Sequence, residues 1–170
     1  MSVCASPSIT VAGGLRLAVR SVTAADRDAQ GALFARMSQE SRHMRFLSSK
    51  SEFSLHELAY LTDIDHLCHE ALAAIDERDG AMVGVARYVW IDDRPRTAEM
   101  AAEVVDDLQG LGIGTALAEL TVKRAHDNGF ELLRATTLAD NHRTRALLRT
   151  LGFRPTGRSG REFEFALALE

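Results

Sequence analysis

The sequence predicts a single domain of the mixed α/β class, in which helices and strands form one layered structure. The chain has 170 residues, enough for one domain with a continuous apolar core. Segments with the two-residue alternation of strands are interspersed with segments that begin with helix-capping residues. The predicted order is a strand, two or three helices, three strands, and then helix, strand, helix and strand. The closing strand, EFEFALAL (residues 162–169), alternates strictly.

The first half of the chain predicts one strand followed by helices. LRLAVRSV (residues 15–22) alternates well enough to form a strand. Thr-Ala-Ala-Asp at residues 23–26 is a capping signal that opens a helix extending to Met37. SQESRHMRFLSSK (residues 38–50) predicts a second, short helix. Ser-Leu-His-Glu at residues 54–57 is a capping box that opens a third helix.

Three strands are predicted in the middle of the chain. EALAAID (residues 70–76) and AMVGVARYVWID (residues 81–92) flank the dipeptide Asp79-Gly80, which is a hairpin signal. AEMAAEVV (residues 98–105) follows a further turn and makes the next strand.

The last third of the chain predicts helices in alternation with strands. A glycine-rich segment opens a helix that runs to about Asp127 and ends at Asn128-Gly129. ELLRATTL (residues 131–138) predicts a strand. Asp140-Asn141 begins another helix, which Gly152 stops before the closing strand.

Composition and charge argue against several classes of protein. The net charge of −4 disfavours a nucleic-acid binder, and no apolar run approaches the roughly 20 residues of a membrane span. Cys4 and Cys68 are too few for a disulfide framework and fit a reducing compartment. Residues 1–13 lack the pattern of a signal peptide and predict a flexible arm before a domain at residues 14–170. We therefore predict a cytoplasmic monomer or homodimer without nucleic-acid or membrane partners.

The glycine-rich segment DDLQGLGIGTAL (residues 106–117) lies where the long helix begins. Each glycine weakens a helix by about 1 kcal/mol relative to alanine, so the bare backbone must serve another purpose. One interpretation is an anion bound by first-turn N–H groups, which lack internal partners and carry a partial positive charge. The other is a tight turn packed against the sheet. Walker and dinucleotide-binding patterns do not fit, because Thr115 stands where they need lysine or a third glycine.

Two motifs in order resemble the GNAT superfamily of N-acetyltransferases. Gln-x-x-Gly-x-Gly after a strand is similar to its acetyl-CoA loop, and DNHRTRALLRTLGF (residues 140–153) is similar to its next helix. The resemblance covers most of the chain from Leu15 onward. Four further segments, together with DDLQG, resemble the GNAT domain of bacterial protein lysine acetyltransferases: ESRHMRF (residues 40–46), LTDIDH (residues 61–66), VGVARYV (residues 83–89) and AEMA (residues 98–101).

The resemblance implies a GNAT fold, with a central, mixed but mostly antiparallel twisted sheet flanked by helices, and acetyl-CoA as the cosubstrate. Val104 and Val105 would pair their backbone with the pantetheine arm, which is compatible with a place in the core. Asn141 would contact the cofactor through its side chain, or would only cap its helix. The pyrophosphate would be held by the backbone N–H groups of Gln109, Gly110, Leu111, Gly112, Ile113, Gly114 and Thr115.

A lysine acceptor must lose a proton before it attacks the thioester. Its pKa near 10.4 makes the neutral amine cost about 4.6 kcal/mol at pH 7, so a general base is valuable. Glu99 stands where the similar lysine acetyltransferases carry a catalytic glutamate, and it is the predicted base. Glu103 competes for this role: in a regular strand it shares a face with Glu99 about 13 Å away, and a bulge would change which one faces the site. For Glu103 we favour a solvated strand face.

The second motif departs from the family at one position. Many GNAT enzymes have a tyrosine seven residues after the asparagine, which protonates the leaving thiolate, and here that position is Leu148. A thiol with a pKa near 8.5 leaves as the thiolate at pH 7 for about 2 kcal/mol. Direct transfer without this acid is therefore feasible, and no general acid is assigned.

Other polar residues have competing interpretations. No metal site is predicted, because the spacing of four candidate ligands matches no compact zinc pattern: His56, His66, Cys68 and His69. A second set forms either an acceptor wall or a solvated helix face with Phe46 in the core: Arg42, His43, Arg45 and Phe46. A third set either reaches cofactor phosphate or lies in water: Arg143, Arg145 and Arg149.

The sequence therefore predicts an N-acetyltransferase that moves acetyl from acetyl-CoA to a primary amine, most readily a protein lysine, by direct attack in a ternary complex. Two alternatives stay open. The acceptor could be a small-molecule amine such as a polyamine, an amino acid or an aminoglycoside. The protein could also be a non-catalytic acyl-CoA-binding module, an interpretation that Leu148 favours and Glu99 disfavours.

Overall fold

The structure is a computed structural model that describes residues 6–91 and 93–170. Cys4 and the first part of the predicted arm lie outside the described residues, and so does Asp92 near the end of a predicted strand. Eight strands form one sheet: β1 (Ser8–Thr10), β2 (Arg16–Ser21), β3 (His69–Asp76), β4 (Met82–Trp90), β5 (Thr97–Val104), β6 (Leu132–Leu138), β7 (Arg154–Ser159) and β8 (Glu162–Ala168).

The strand order in the sheet is β1-β2-β3-β4-β5-β6-β8-β7. Every neighbouring pair is antiparallel except β5 and β6, which run parallel. The β5–β6 pairing covers only Thr97↔Leu132 to Glu99↔Arg134, although both strands continue beyond it. The two strands therefore separate after Glu99, and a cleft opens in the middle of the sheet.

The described residues form five α-helices in the regions where the sequence predicts them: α1 (Arg27–Ala35), α2 (Gln39–Phe46), α3 (Leu55–Thr62), α4 (Ile113–Asp127) and α5 (His142–Thr150). The capping box at Ser54 is formed in both directions: its hydroxyl accepts from the Glu57 N–H, and the Glu57 carboxylate accepts from the Ser54 N–H. The box at Thr23 and Asp26 is also present and opens a short 3₁₀ turn before α1. Within the described residues, none of the helices has the length and apolarity needed to cross a membrane.

Helices cover the two faces of the sheet unequally. α4 packs across β3, β4 and β5. Leu148 of α5, Ala118 of α4 and Phe165 of β8 belong to one apolar cluster on this face. On the opposite face, α1 packs over β4 and against α3, and the guanidinium of Arg87 reaches Gln30 of α1. This arrangement is the mixed α/β fold with a mostly antiparallel sheet that the sequence predicts, and the prediction is confirmed.

The residue pattern does not predict the two outermost strands. β1 pairs with β2 from within the segment predicted as an arm. β7, RPTGRS, is exposed along its whole length and contains Pro155 and Gly157, where its pairing with β8 shifts register. An edge strand buries neither face and tolerates proline, so the alternation that reveals central strands is absent.

Candidate active site

The separation of β5 from β6 creates a cleft with a volume of about 800 Å³. Its sides are β5 and β6, and α2, α5 and the glycine-rich loop before α4 complete the lining. A parallel strand pair that opens in this way exposes backbone and side chains from both strands to one elongated space. The cleft is thus the main candidate for a binding site among the described residues.

The glycine-rich loop presents backbone N–H groups to the cleft. Gly110 and Gly112 have φ angles of 79° and 96°, which L-residues with a Cβ adopt at a cost of about 1–2 kcal/mol. These angles turn the chain from a short 3₁₀ helix (Asp106–Leu108) into α4. Within the described chain, the N–H groups of residues 110–115 donate to no protein acceptor. They lie at the positive end of the α4 dipole, so this loop can bind an anion.

Gln109 joins three walls of the cleft through its side chain. Its Nε2 donates to the carbonyl of Val104 at 3.0 Å and to Oγ of Ser41 in α2 at 3.3 Å. Its Oε1 accepts from Nη1 of Arg143 in α5 at 2.5 Å. The backbone N–H of Gln109 donates to the carbonyl of Asp106 at 3.2 Å. The side chain of Gln109, rather than its N–H, is therefore what this residue presents to the cleft.

The two valines predicted to pair with a pantetheine arm occupy different positions. Val104 lines the cleft, and its carbonyl is bonded to Gln109. Val105 is fully buried; its N–H donates to Val83 and its carbonyl accepts from Leu108. Because both polar groups of the Val105 backbone have protein partners, Val104 is the better placed of the two for a backbone contact.

Asn141, which caps α5, and Leu148 within α5 are both part of the cleft lining. The Oδ1 of Asn141 accepts from the Thr144 N–H at 3.1 Å, so this residue caps the helix. Its Nδ2 remains available to the cleft, since no partner for it occurs in the described part of the chain, and capping does not compete with a ligand contact. Leu148 is 2% exposed and offers no proton. The chain's two tyrosines, Tyr60 on α3 and Tyr88 on β4, are not part of the lining.

Glu99 lies at the point where β5 and β6 separate. Its side chain is exposed, and its Oε1 accepts from the hydroxyl of Thr136 at 3.3 Å. Glu99 is not itself part of the cleft lining, but Thr136 is, and this hydrogen bond puts the Glu99 carboxylate at the edge of the cleft. β5 pairs with β4 without a bulge, from Trp90↔Ala98 to Gly84↔Val104. Glu99 and Glu103 therefore share one face of the sheet.

The expectation that Glu103 lies on a solvated strand face is wrong. Its side chain is 1% exposed, and its carboxylate accepts from Nε of Arg45 at 2.5 Å and from Nε2 of Gln30 at 3.3 Å. A second guanidinium, Nη2 of Arg87, lies 3.9 Å away. Burial by itself would raise the pKa of Glu103, but the charges of Arg45 and Arg87 and the hydrogen bonds outweigh it and hold the pKa below its usual value.

The partners of Glu103 extend into a buried polar network. Arg87 donates to Oε1 of Gln30 and to the carbonyl of Leu61, and it contacts Nε2 of His69. Burial lowers the pKa of Arg87 to about 10, so the guanidinium remains charged at neutral pH. The sequence holds one signal of this network: Arg87 and Glu103 interrupt apolar strand segments with opposite charges.

The residues predicted to form either an acceptor wall or a helix face divide between these roles. Arg45 lines the cleft while its guanidinium is bound to Glu103. Arg42 instead donates to the carbonyls of Phe34, Ala35 and Ser51, which fixes α2 to its neighbours. Phe46 packs edge-on against the ring of Phe34 at 5.6 Å.

Two of the three histidines considered as metal ligands, His66 and His69, contact other protein groups. Nδ1 of His66 lies 3.0 Å from Oε1 of Glu70, a buried carboxylate that also binds Arg124. Nε2 of His69 lies 3.2 Å from Arg87. Among the described residues, no three histidine, cysteine, aspartate or glutamate side chains are grouped as a metal site.

Comparison with known proteins identifies the family. The sequence model of the acetyltransferase (GNAT) family matches residues 36–153. An acetyltransferase of Pseudomonas aeruginosa is 32% identical over 142 residues, which are 82% of this chain and 76% of that protein. The acetyltransferase Pat of Mycolicibacterium smegmatis is 32% identical over 95 residues, which are 56% of this chain but only 28% of that longer protein.

Solved structures share the fold. The GNAT domain of S. lividans PAT superposes with a TM-score of 0.90 at 21% identity, over 99% of both chains. An acetyltransferase from Salmonella typhimurium, solved with its cofactor acetyl-CoA, superposes with a TM-score of 0.75 at 20% identity, over 91% of this chain and 94% of that one. The chain belongs to the GNAT acetyltransferase family, as its two motifs predict. It is an acyltransferase.

Proposed function

We propose that this acetyl-CoA-dependent N-acetyltransferase acetylates protein lysines by direct attack of the amine in a ternary complex. Acetyl-CoA is the cosubstrate, and the cleft of about 800 Å³ supports the assignment of its site to the space between β5 and β6. The N–H groups of residues 110–115 have no protein acceptor in the described part of the chain, which supports their assignment to the pyrophosphate. Val104 and Asn141 line the path that the pantetheine arm would take, and β5 and β6 diverge where the thioester would lie.

The observation that carries the proposal is the position of Glu99. It is an exposed carboxylate at the edge of the cleft, hydrogen-bonded to Thr136, which lines the cleft. An exposed carboxylate can take a proton from a lysine ammonium, directly or through one water, and release it to solvent. The neutral amine then attacks the acetyl carbonyl, and the carbon–sulfur bond breaks to release the thiolate of CoA. Leu148 supplies no acid, so the thiolate leaves unprotonated and takes a proton from water.

The acceptor assignment comes from similarity in sequence and from the shape of the site. Four segments of the chain resemble bacterial protein lysine acetyltransferases. The sheet face around Glu99 is open, since Glu99 is exposed and its neighbours Val89 and Arg134 are only partly buried. A lysine on a protein surface can reach such a face, whereas a small molecule gains more from an enclosed pocket. A cytoplasmic location and the monomeric or dimeric state stay predictions from the sequence.

The test is the substitution Glu99→Gln, with Glu119→Gln on the exposed surface of α4 as the matched control. We expect Glu99→Gln to lower kcat for a lysine peptide by about 10²–10⁴-fold, the range for loss of a general base. Calorimetric titration should show unchanged affinity for acetyl-CoA, because Glu99 lies outside the loop that faces the phosphates. Glu119→Gln should retain full activity.

Three other results would change the conclusion. Unchanged turnover in Glu99→Gln would remove Glu99 from the mechanism. Turnover of polyamines or amino acids by the unsubstituted protein, with none of lysine peptides, would replace the acceptor class. Tight acetyl-CoA binding without transfer to any amine would indicate a binding module.

A further inference from the structure

Strand β6 lies between two carboxylates on the open face of the sheet, Glu99 of β5 and Glu164 of β8. In the strand register, Arg134 of β6 lies directly opposite Glu99, and Thr136 lies directly opposite Glu164. Residues two apart on a strand share a face, and so do residues directly opposite each other. All four side chains therefore lie on one face, and each donor of β6 has a carboxylate on either side.

The hydrogen bonds do not follow the strand register. Nη2 of Arg134 donates to Oε2 of Glu164 at 3.3 Å, and the hydroxyl of Thr136 donates to Oε1 of Glu99 at 3.3 Å. Each donor thus bonds to the carboxylate diagonal to it rather than to the one directly opposite. As a result, the charged donor is on Glu164 and the neutral donor is on Glu99.

The carboxylate of Glu164 draws the Arg134 guanidinium away from β5. Gly157 of β7 pairs with Glu164, and a Cβ at Gly157 would lie 3.1 Å from Oε2, the same oxygen that accepts from Arg134. Because β8 lies between β6 and β7, the guanidinium extends over β8 to meet this oxygen. The side chains of Arg134 and Glu164 are 26% and 40% exposed, so the ion pair is partly shielded from water.

The position of this charge matters for a carboxylate that has to accept a proton. A guanidinium beside a carboxylate lowers its proton affinity by about 10- to 1000-fold. It also occupies the oxygens that would take the proton, and it repels an approaching ammonium group. A hydroxyl group donates a hydrogen bond but leaves the negative charge in place. Thr136 is therefore a suitable partner for Glu99 acting as a base, and Arg134 is not.

The other neighbours of Glu99 bring no competing cation to it. Its partner on the far side of β5 is Val89 of β4, which is uncharged. His69 of β3 pairs with Val89, and burial lowers the pKa of its ring to about 4, so it is neutral at pH 7. Further along β5, the carboxylate of Glu103 holds the two nearby guanidinium groups: Arg45 and Arg87. Arg134 is thus the cation placed directly across from Glu99.

We propose that Glu164 is a positioning residue that holds Arg134 away from Glu99 and so keeps the Glu99 carboxylate available as the base. In the alternative arrangement Arg134 bonds to Glu99, its direct partner in the register, and proton transfer is suppressed. Neighbouring strands are about 4.8 Å apart, so a rotation of the Arg134 side chain is enough to exchange the two partners. The inference rests on the proposed role of Glu99 and does not depend on the identity of the amine.

The experiment uses Glu164→Gln, with Glu162→Gln as the matched control. Glu162 lies on the same strand and face, but its cross-strand partners are the uncharged Leu138 and Ser159. We expect Glu164→Gln to lower kcat for a lysine peptide by about 10-fold, the low end of the range above because both side chains of the pair are partly exposed. Glu162→Gln should keep full activity, and the two variants should have equal thermal unfolding midpoints.

A second measurement follows the Glu99 carboxyl directly and needs no turnover. The carboxyl carbons of ¹³C-labelled glutamate are titrated by NMR, and the Glu99 signal is assigned by its loss in Glu99→Gln. In Glu164→Gln the titration midpoint of Glu99 should move down by about one pH unit, because Arg134 then lies beside it. In Glu162→Gln it should stay where it is in the unsubstituted protein.

A double substitution separates this role from a merely structural one. Adding Arg134→Gln to Glu164→Gln removes the guanidinium that would neutralise Glu99, so kcat and the titration midpoint should both return toward the values of the unsubstituted protein. If Glu164 only supported the local structure, the second substitution would add to the damage.

Several results would overturn the proposal. These are unchanged kcat or an unchanged Glu99 midpoint in Glu164→Gln, an equal loss in Glu162→Gln, or no recovery in the double variant. Full turnover by Glu99→Gln would instead overturn the proposed base, and this inference with it. Because that result comes from a different substitution, the two failures are distinguishable.

Discussion

His69 is a buried histidine whose neighbours oppose its protonation. It begins β3, its ring packs against Tyr60 at 5.3 Å, and its Nε2 lies 3.2 Å from Nη1 of Arg87. Burial and the Arg87 charge lower its pKa to about 4, against a smaller opposing effect of Asp65. The ring is therefore neutral at pH 7, and Nε2 accepts from the Arg87 guanidinium. Protonation would replace this hydrogen bond by a contact between two cations.

This pKa predicts how stability depends on pH. The unfolded chain binds a proton at His69 near pH 6.5, whereas the folded chain binds it only near pH 4. Between these values the unfolded state holds more protons, so the free energy of unfolding should fall as the pH is lowered through this window. Urea unfolding at a series of pH values between 7 and 4 measures the slope.

The substitution His69→Gln should remove this part of the slope, because glutamine does not titrate. His56→Gln, at an exposed position on α3, is the matched control and should leave the slope unchanged. Equal slopes in the unsubstituted protein and in His69→Gln would contradict the prediction.

The packing of α4 on β4 depends on a strand position without a side chain. A Cβ at Gly84 would lie 3.1 Å from Cδ1 of Leu117, 3.2 Å from the backbone oxygen of Glu103 and 3.4 Å from Cγ2 of Ile113. Ile113 is the first residue of α4, directly after the glycine-rich loop. The close approach of this helix to the sheet therefore sets the height of the loop above the end of β5.

We predict that Gly84→Ala destabilises the protein by about 1–3 kcal/mol, the usual cost of overpacking. The Leu117 side chain can shift by a few tenths of an ångström, but the backbone oxygen of Glu103 belongs to β5 and cannot. Since α4 carries the loop, the affinity for acetyl-CoA should fall as well. Thermal unfolding and calorimetric titration measure the two effects.

Gly31→Ala provides the matched control for Gly84→Ala. Gly31 lies inside α1, and a Cβ there meets nothing within 4 Å. The added methyl group should stabilise the helix by up to about 1 kcal/mol without changing cosubstrate affinity. A Gly84→Ala variant as stable as Gly31→Ala would show that α4 can move away from the sheet at little cost.

At the scale of the whole molecule, local patterns predict the elements, and contacts between distant segments determine the site. The capping boxes and the glycine loop each lie within a few residues, so the sequence shows them directly. The face shared by Glu99 and Glu103 depends on regular pairing between β4 and β5, which no local pattern reveals. The buried environment of Glu103 depends on Arg45, Gln30 and Arg87, which come from three other elements.

The network around Glu103 connects the helical layer to the sheet beside the cleft. Arg45 belongs to α2, Gln30 to α1 and Arg87 to β4. The guanidinium of Arg87 also donates to the carbonyl of Leu61 in α3. No residue of α2 is fully buried. The Arg45–Glu103 pair acts with the hydrogen bonds of Arg42 and the packing of Phe46 to attach α2, which forms one wall of the cleft.

Glu103→Gln should lower the free energy of unfolding by roughly 3 kcal/mol, because removing one partner of a buried pair leaves the other charges desolvated without compensation. Here Arg87 has almost no access to water, and Arg45 has little. Urea unfolding measures the effect, with Glu119→Gln on the exposed surface of α4 expected to change stability by less than about 0.5 kcal/mol.

The lowered pKa of Glu103 also predicts how the effect of this substitution depends on pH. Its carboxylate stabilises the fold above its unfolded pKa and loses this contribution as the pH falls through the folded value, so the deficit of Glu103→Gln should shrink in acid. A deficit in the free energy of unfolding that stays constant with pH would show that the charge of Glu103 is not its cause.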